Sequence, residues 1–150
     1  MEQLKATDLM PMDIVRHKRT KEIIGIFEID EYRNVINNEA DGYCSETNIS
    51  VDDIEPIIVS ESILEQNEFV HDSLVTGDSW DTNRWWYKKD EFTIKIQYPT
   101  DNFKGCCIIL NVNKGSLISY TFDKEIYVHE LQHSLRLCGL NKLADNLKIE

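Results

Sequence analysis

The segment 123–140, Asp-Lys-Glu-Ile-Tyr-Val-His-Glu-Leu-Gln-His-Ser-Leu-Arg-Leu-Cys-Gly-Leu, constrains this chain more than any other. On a 3.6-residue period Tyr127, Leu131, Ser134, Leu135 and Cys138 fall on one side with Val128 at its margin, which predicts an amphipathic helix with one buried face. Asp123 is suited to cap the start by accepting a backbone N–H of the first turn, and Phe122 can staple onto Tyr127. Gly139 can adopt the left-handed conformation that ends a helix, with Leu140 folding back on Leu135. A single apolar stripe needs a surface to cover, and the strands that precede it in the chain are the expected support.

The same segment carries possible chemistry. His129-Glu130-Leu131-Gln132-His133 matches H-E-x-x-H, in which histidines four apart project from one helix face to bind zinc while the glutamate deprotonates a metal-bound water. A catalytic zinc needs a third protein ligand, and no histidine follows His133. Asp145, in the short tail 141–150 where Leu143 and Leu147 predict one or two more helical turns, is the best substitute. The simpler expectation is that His129 and His133 ride on the solvated outer face of the helix, with no metal and no cofactor.

With 150 residues, 41% of them hydrophobic, and only 6 Gly and 3 Pro, the chain is of ordinary globular composition and can bury about 70% of its unfolded surface. The opening Met1-Glu2-Gln3-Leu4-Lys5 is unlike a signal peptide and no run of 18 apolar residues occurs, so a soluble, cytoplasmic protein without a membrane partner is expected. Cys44, Cys106, Cys107 and Cys138 lack C-x-x-C spacing and read as free thiols. A net charge of −11 works against nucleic acid as a partner. The basic run 16–21, Arg-His-Lys-Arg-Thr-Lys, is the local exception, and it is read as the solvated tip of a hairpin.

Short β-type runs at 13–15, 22–30, 33–37, 43–49 and 54–59 alternate with polar turns and predict a small antiparallel barrel of the SH3-like kind over residues 1–59. Within Ile23-Ile24-Gly25-Ile26-Phe27-Glu28-Ile29 the inward set is expected to be Ile23, Phe27 and Ile29, with Gly25 leaving room for a bend or bulge. Pro56 places its run at an edge or at the exit from the barrel. Ser62-Ile63-Leu64-Glu65 is a capping box for a short helix running from Ser60 or Ser62 to Gln66. The polar stretch 71–83 is the expected junction, so residues 60–79 read as short helix and linker. Runs at 84–88, 91–98, 106–112 and 116–122, with a tight turn at Asn113-Lys114-Gly115, then predict an antiparallel sheet that forms a second part, 80–150, together with the helix. Trp80, Trp85 and Trp86 are assigned to core and covered edge in preference to a ligand platform.

Asp53-Ile54-Glu55-Pro56-Ile57, Ser62-Ile63-Leu64-Glu65-Gln66-Asn67-Glu68-Phe69 and Tyr127-Val128-His129-Glu130-Leu131-Gln132, with an opening of the Leu-x-x-x-Asp-x-Val type at Leu9 to Val15, make the chain resemble a family of short uncharacterised proteins from gut anaerobes and their prophages. The resemblance covers most of the length and is specific at the barrel-exit block and the Tyr-Val-His block. No activity is established for that family, whose members keep the Tyr-Val-His and Leu-Gln positions while other residues can stand at Glu130 and His133. The resemblance therefore implies a structural role for the motif.

The expectation is an α+β protein with an N-terminal SH3-like barrel, a linking helix, and a C-terminal antiparallel sheet covered by one helix. Functionally it is a non-catalytic binding or adaptor protein of phage or mobile-element origin with a protein partner. The alternative is a small zinc metallohydrolase with His129, His133 and Asp145 as ligands and Glu130 as base.

Overall fold

The computed structural model describes residues 3–32, 34–37, 48–71, 85–89, 92–97, 106–112, 116–122 and 126–149. The fold is α+β, with two antiparallel five-stranded sheets and three short helices among these residues. It divides into two compact units, both discontinuous in sequence. The first comprises Met1–Ile58, Tyr127–Arg136 and Asn141–Asn146; the second comprises Val59–Ile126, Leu137–Leu140 and Leu147–Glu150. No helix of the described residues is long and apolar enough to cross a membrane.

In the first unit β1 (Ile14–His17), β2 (Ile23–Ile29), β3 (Asn34–Asn37), β4 (Asn48–Ser50) and β5 (Ile54–Glu55) form a meander in the order β4-β3-β2-β1-β5. The last strand returns to pair antiparallel with the first after a 3-10 turn at Val51–Asp53, whose start Ser50 caps by accepting the Asp52 N–H. No pairing joins β4 to β5 among the described residues, so the sheet is open where a closed barrel was expected. Pro56 follows directly on β5, which is only two residues long, in keeping with its missing N–H donor.

The core of this unit is an aliphatic cluster of Leu4, Leu9, Val15, Ile24, Ile26, Val35, Ile49 and Ile54. The inward set of β2 is Ile24 and Ile26, with Ile29 packed against the same cluster as expected, whereas Ile23 is only half-buried and Phe27 is exposed, against expectation. Gly25 pairs regularly with Ile14, and the bulge comes later, between Ile26 and Glu28. Phe27 is the extra residue there, left without a partner on β3 and turned out to solvent at 60% exposure. A bulge breaks the two-residue alternation, which is why simple periodicity misplaced this phenylalanine.

Two turns prepare the loops of the unit. Met10-Pro11-Met12-Asp13 has the layout of a type II turn: proline in second place, Met12 at φ 72° in third, and the Asp13 N–H on the Met10 carbonyl at 3.2 Å. At the β1–β2 hairpin, the His17 Nδ1 accepts the N–H groups of Arg19 and Thr20. The basic run is thus a structured tip, in which Lys18 donates to Gln3 and to the Asp52 carbonyl and Lys21 pairs with Glu55 at 2.9 Å.

The second unit holds the helix α1 (Glu61–Gln66) and the strands β6 (Val70–His71), β7 (Trp85–Lys89), β8 (Phe92–Gln97), β9 (Cys106–Val112) and β10 (Ser116–Phe122), in the order β10-β9-β8-β7-β6. Ser60, not Ser62, caps α1, accepting the Ile63 N–H at 3.2 Å. Among the residues of this unit whose burial is described, Val59, Ile63, Leu64, Phe69, Ile126, Leu147 and Ile149 are the buried apolar ones. Most of the expected junction, 72–83, and the turn 113–115 lie outside the described residues, as do Cys44 and Trp80.

The C-terminal helix α2 spans Val128–Leu137, followed by α3 at Asn141–Asp145. Its expected start at Asp123 is corrected: Asp123 itself lies outside the described residues, but Tyr127 is still extended, bridged to Ile58, with the Val128 N–H on the Ile57 carbonyl at 2.8 Å. That bridge draws the backbone out of helical geometry and delays the first turn. The far end matches expectation, with Gly139 at φ 77°. Residues 127–136 of this segment group with the N-terminal strands in the first unit.

Candidate functional site

Helix α2 buries Val128, His129, Leu131, Gln132, Ser134 and Leu135, which is more than one face. The expectation that His129 and His133 lie on a solvated outer side is corrected accordingly: His129 is only 3% exposed and His133 is half-buried. A helix covered on more than one side carries polar residues inward, and each must then find a partner.

The partners account for most of the H-E-x-x-H pattern. Glu130, third residue of the helix, reaches back so that its Oε2 accepts the Tyr127 N–H at 3.0 Å, which is one half of a capping box. His129 stacks on Tyr127 with ring centroids 5.8 Å apart and meets the His133 ring edge-on, also at 5.8 Å. The His133 Nε2 faces Asp13 Oδ2 at 2.7 Å, and because a carboxylate only accepts, this nitrogen carries the proton.

Asp13 is the centre of the arrangement. It is wholly buried, and its Oδ2 accepts the Met10 N–H as well as His133, while Oδ1 takes the Arg136 Nη1 at 2.6 Å. A buried carboxylate costs several kcal/mol unless it is paired and hydrogen-bonded, and three donors meet that requirement here. Arg136 extends the chain of contacts to Asp145 Oδ1 through Nε at 3.3 Å and Nη2 at 3.1 Å. Beside this, the fully buried Gln132 uses its whole amide: Oε1 accepts the Ile14 N–H, and Nε2 donates to the carbonyls of Met12 and Ala144.

The structure thus brings His129 and His133 together and joins Asp145 to the same network through Arg136, but not as a coordination set. For two imidazoles to hold one ion their nitrogens must converge on it, and His133 directs Nε2 at Asp13 instead. Among the described residues no three of His, Cys, Asp and Glu are grouped so as to hold a metal ion. This geometry gives the His133 Nε2 a carboxylate partner where the zinc motif would give it an ion.

Sequence reasoning missed Asp13, Gln132 and Arg136. Some signal for them existed: Arg136 is the sole Lys or Arg between Lys124 and Lys142 and sits among Leu135, Leu137 and Cys138, a setting that calls for an acidic partner. Among the described residues of this unit, Phe27 and Tyr32, at 60% and 76% exposure, are the most exposed large apolar side chains, and Met12 joins β2 beside Phe27 through its N–H on the Ile26 carbonyl. No family model matches the chain, and no curated protein or solved structure matches it either.

Proposed function

We propose that the protein is a non-catalytic binding or adaptor module in which the H-E-x-x-H residues serve structure. One observation carries this reading: Glu130, His133 and Asp145 are each engaged by a neighbouring group of the fold, respectively the Tyr127 N–H, Asp13 and Arg136. A general base and metal ligands need their lone pairs directed at a substrate or an ion. The first unit is read as an SH3-like module. Its support is the meander order, the bulged second strand, and a 3-10 turn before the strand that returns to the first. The surface around Phe27 and Met12 is the proposed contact for a protein partner, since exposed aromatics beside flexible methionine make adaptable apolar contacts. Origin in a phage or mobile element rests on the sequence resemblance alone.

Elemental analysis combined with thermal denaturation tests the non-catalytic reading. Well under one zinc per chain and a melting curve indifferent to chelator are expected. His133→Asn should nevertheless destabilise the protein by about 1 kcal/mol, because it removes a donor from a buried carboxylate. Near-stoichiometric zinc that is lost in His133→Asn overturns the reading and makes Glu130 the first residue to test for hydrolysis.

A further inference from the structure

Two backbone irregularities meet at Ile26. On its β3 side lies the bulge in which Phe27 is the extra residue, between the pairs Ile26↔Asn37 and Glu28↔Ile36. On its β1 side the Met12 N–H donates to the Ile26 carbonyl at 2.7 Å, and the Ile26 N–H donates to the Asp13 carbonyl at 2.9 Å. With Met12 at φ 72° in third place of a type II turn, this is the pattern of a G1 bulge, in which Met12 and Asp13 together oppose Ile26.

The place of Met12 in a G1 bulge ordinarily belongs to glycine, which takes a positive φ without a clash. Methionine is disfavoured there, and its side chain is exposed. Phe27 repeats the situation, because the second bulge turns an aromatic ring out of the core and into solvent. Backbone strain of this kind concentrates at functional sites, and bulges re-aim side chains beside them. The charge next to the two side chains has one sign. Glu28, Asp30 and Glu31 are the charged residues of 23–32, and Glu28 and Glu31 are exposed with no ionic partner among the described residues. The Lys and Arg residues of the β1–β2 hairpin are gathered at its opposite end, 16–21, where Lys18 and Lys21 are already bonded.

We propose that this double bulge is the docking surface for a segment of another protein that combines apolar side chains with Lys or Arg. The inference rests on the binding reading given above and names the chemistry of the partner. Met12 and Phe27 take the apolar side chains, and Glu28 and Glu31 take the cations. Charge disfavours the other occupants: a second copy brings a net charge of −11, and a nucleic acid or an anionic membrane brings phosphates.

Panning the full chain with a phage library of short random peptides, and measuring the selected peptides by fluorescence polarisation, tests the assignment. Enriched peptides should join Lys or Arg to aromatic or aliphatic residues and bind more weakly as salt rises. Phe27→Ser should weaken them about tenfold or more, and Glu28→Lys combined with Glu31→Lys by as much. Met12→Gly separates binding from structure. It should weaken the peptides about threefold or more while the urea midpoint does not fall, a combination that a merely structural side chain would not give. Enriched peptides without Lys or Arg that are still lost in Phe27→Ser overturn the basic partner and leave the binding surface standing. Enriched peptides that bind Phe27→Ser or Met12→Gly as tightly as the unaltered protein overturn the double bulge as their site. An absence of enrichment overturns both this inference and the binding reading beneath it.

Discussion

Each unit is held by a buried side-chain amide, and the two amides work in different surroundings. In the first unit Gln132 binds backbone groups of Met12, Ile14 and Ala144. In the second, Asn67 at the end of α1 donates to the carbonyls of Ile63 and Lys148 and accepts the Lys148 N–H, all at 2.8 Å. Both join segments distant in sequence, by 118 residues for Gln132 and Ile14 and by 81 for Asn67 and Lys148. Gln132, however, lies next to the charged series His133, Asp13, Arg136 and Asp145, whereas Asn67 reaches the exposed tail residue Lys148. An amide can fix a chain crossing alone; where a carboxylate is buried with it, the crossing becomes sensitive to the loss of any one member.

The largest effect should come from the charged member. In Asp13→Asn one end of the new amide is a donor, and whichever way it turns, that donor meets either the Arg136 guanidinium or the Met10 N–H. Arg136 also keeps its charge with only the part-exposed Asp145 left to balance it. Destabilisation of about 3 kcal/mol is expected in urea unfolding, within the range for breaking a buried ion pair. A loss under about 1 kcal/mol would mean that the two clasps do not differ in the way described.

Gln132→Ala should follow at about 2 to 3 kcal/mol, because it strands the Ile14 N–H, which no longer has an acceptor in a buried setting. Asn67→Ala removes as many hydrogen bonds, but around an exposed Lys148 that water can serve, so about 1 to 2 kcal/mol is expected. Equal losses at the two positions would show that burial of the surroundings does not set the strength of such a clasp.

How far these features can be read from sequence follows the same division. Local signals worked in part: Gly139 ends the helix, Ser60 of the two candidate serines starts the short one, and the first three strand runs became β1 to β3 at closely matching positions, while β4 overlaps its run only at 48–49 and β5 is cut to two residues. Periodicity failed where geometry stopped being local. The bulge at Phe27 displaced the inward set of β2, and the bridge between Ile58 and Tyr127 moved the helix start to Val128. The H-E-x-x-H pattern did not reveal its buried surroundings for a related reason. Its spacing reports which residues share a helix face, not what faces them, and here that was Asp13, 120 residues earlier. Nothing in the local sequence of either residue names the other.

The smallest effect concerns the turn that sets Asp13 in place. Met12 stands at φ 72°, a conformation that costs an ordinary L-residue about 1 to 2 kcal/mol because its Cβ crowds the backbone. Its side chain is 41% exposed, and its structural contribution is made by the backbone: the N–H on the Ile26 carbonyl and the carbonyl that accepts Gln132 Nε2. Met12→Gly keeps both bonds and removes the crowding, but the more flexible unfolded chain gives back about 0.4 to 1 kcal/mol. The balance should be a gain of about 0.5 kcal/mol, seen as a slightly higher urea midpoint at unchanged slope. A loss of 1 kcal/mol or more would show that the Met12 side chain packs in a way its exposure does not suggest. In Asp13→Asn the same glycine substitution should gain less, because a turn that no longer presents a carboxylate to His133 and Arg136 has less reason to be held in that conformation.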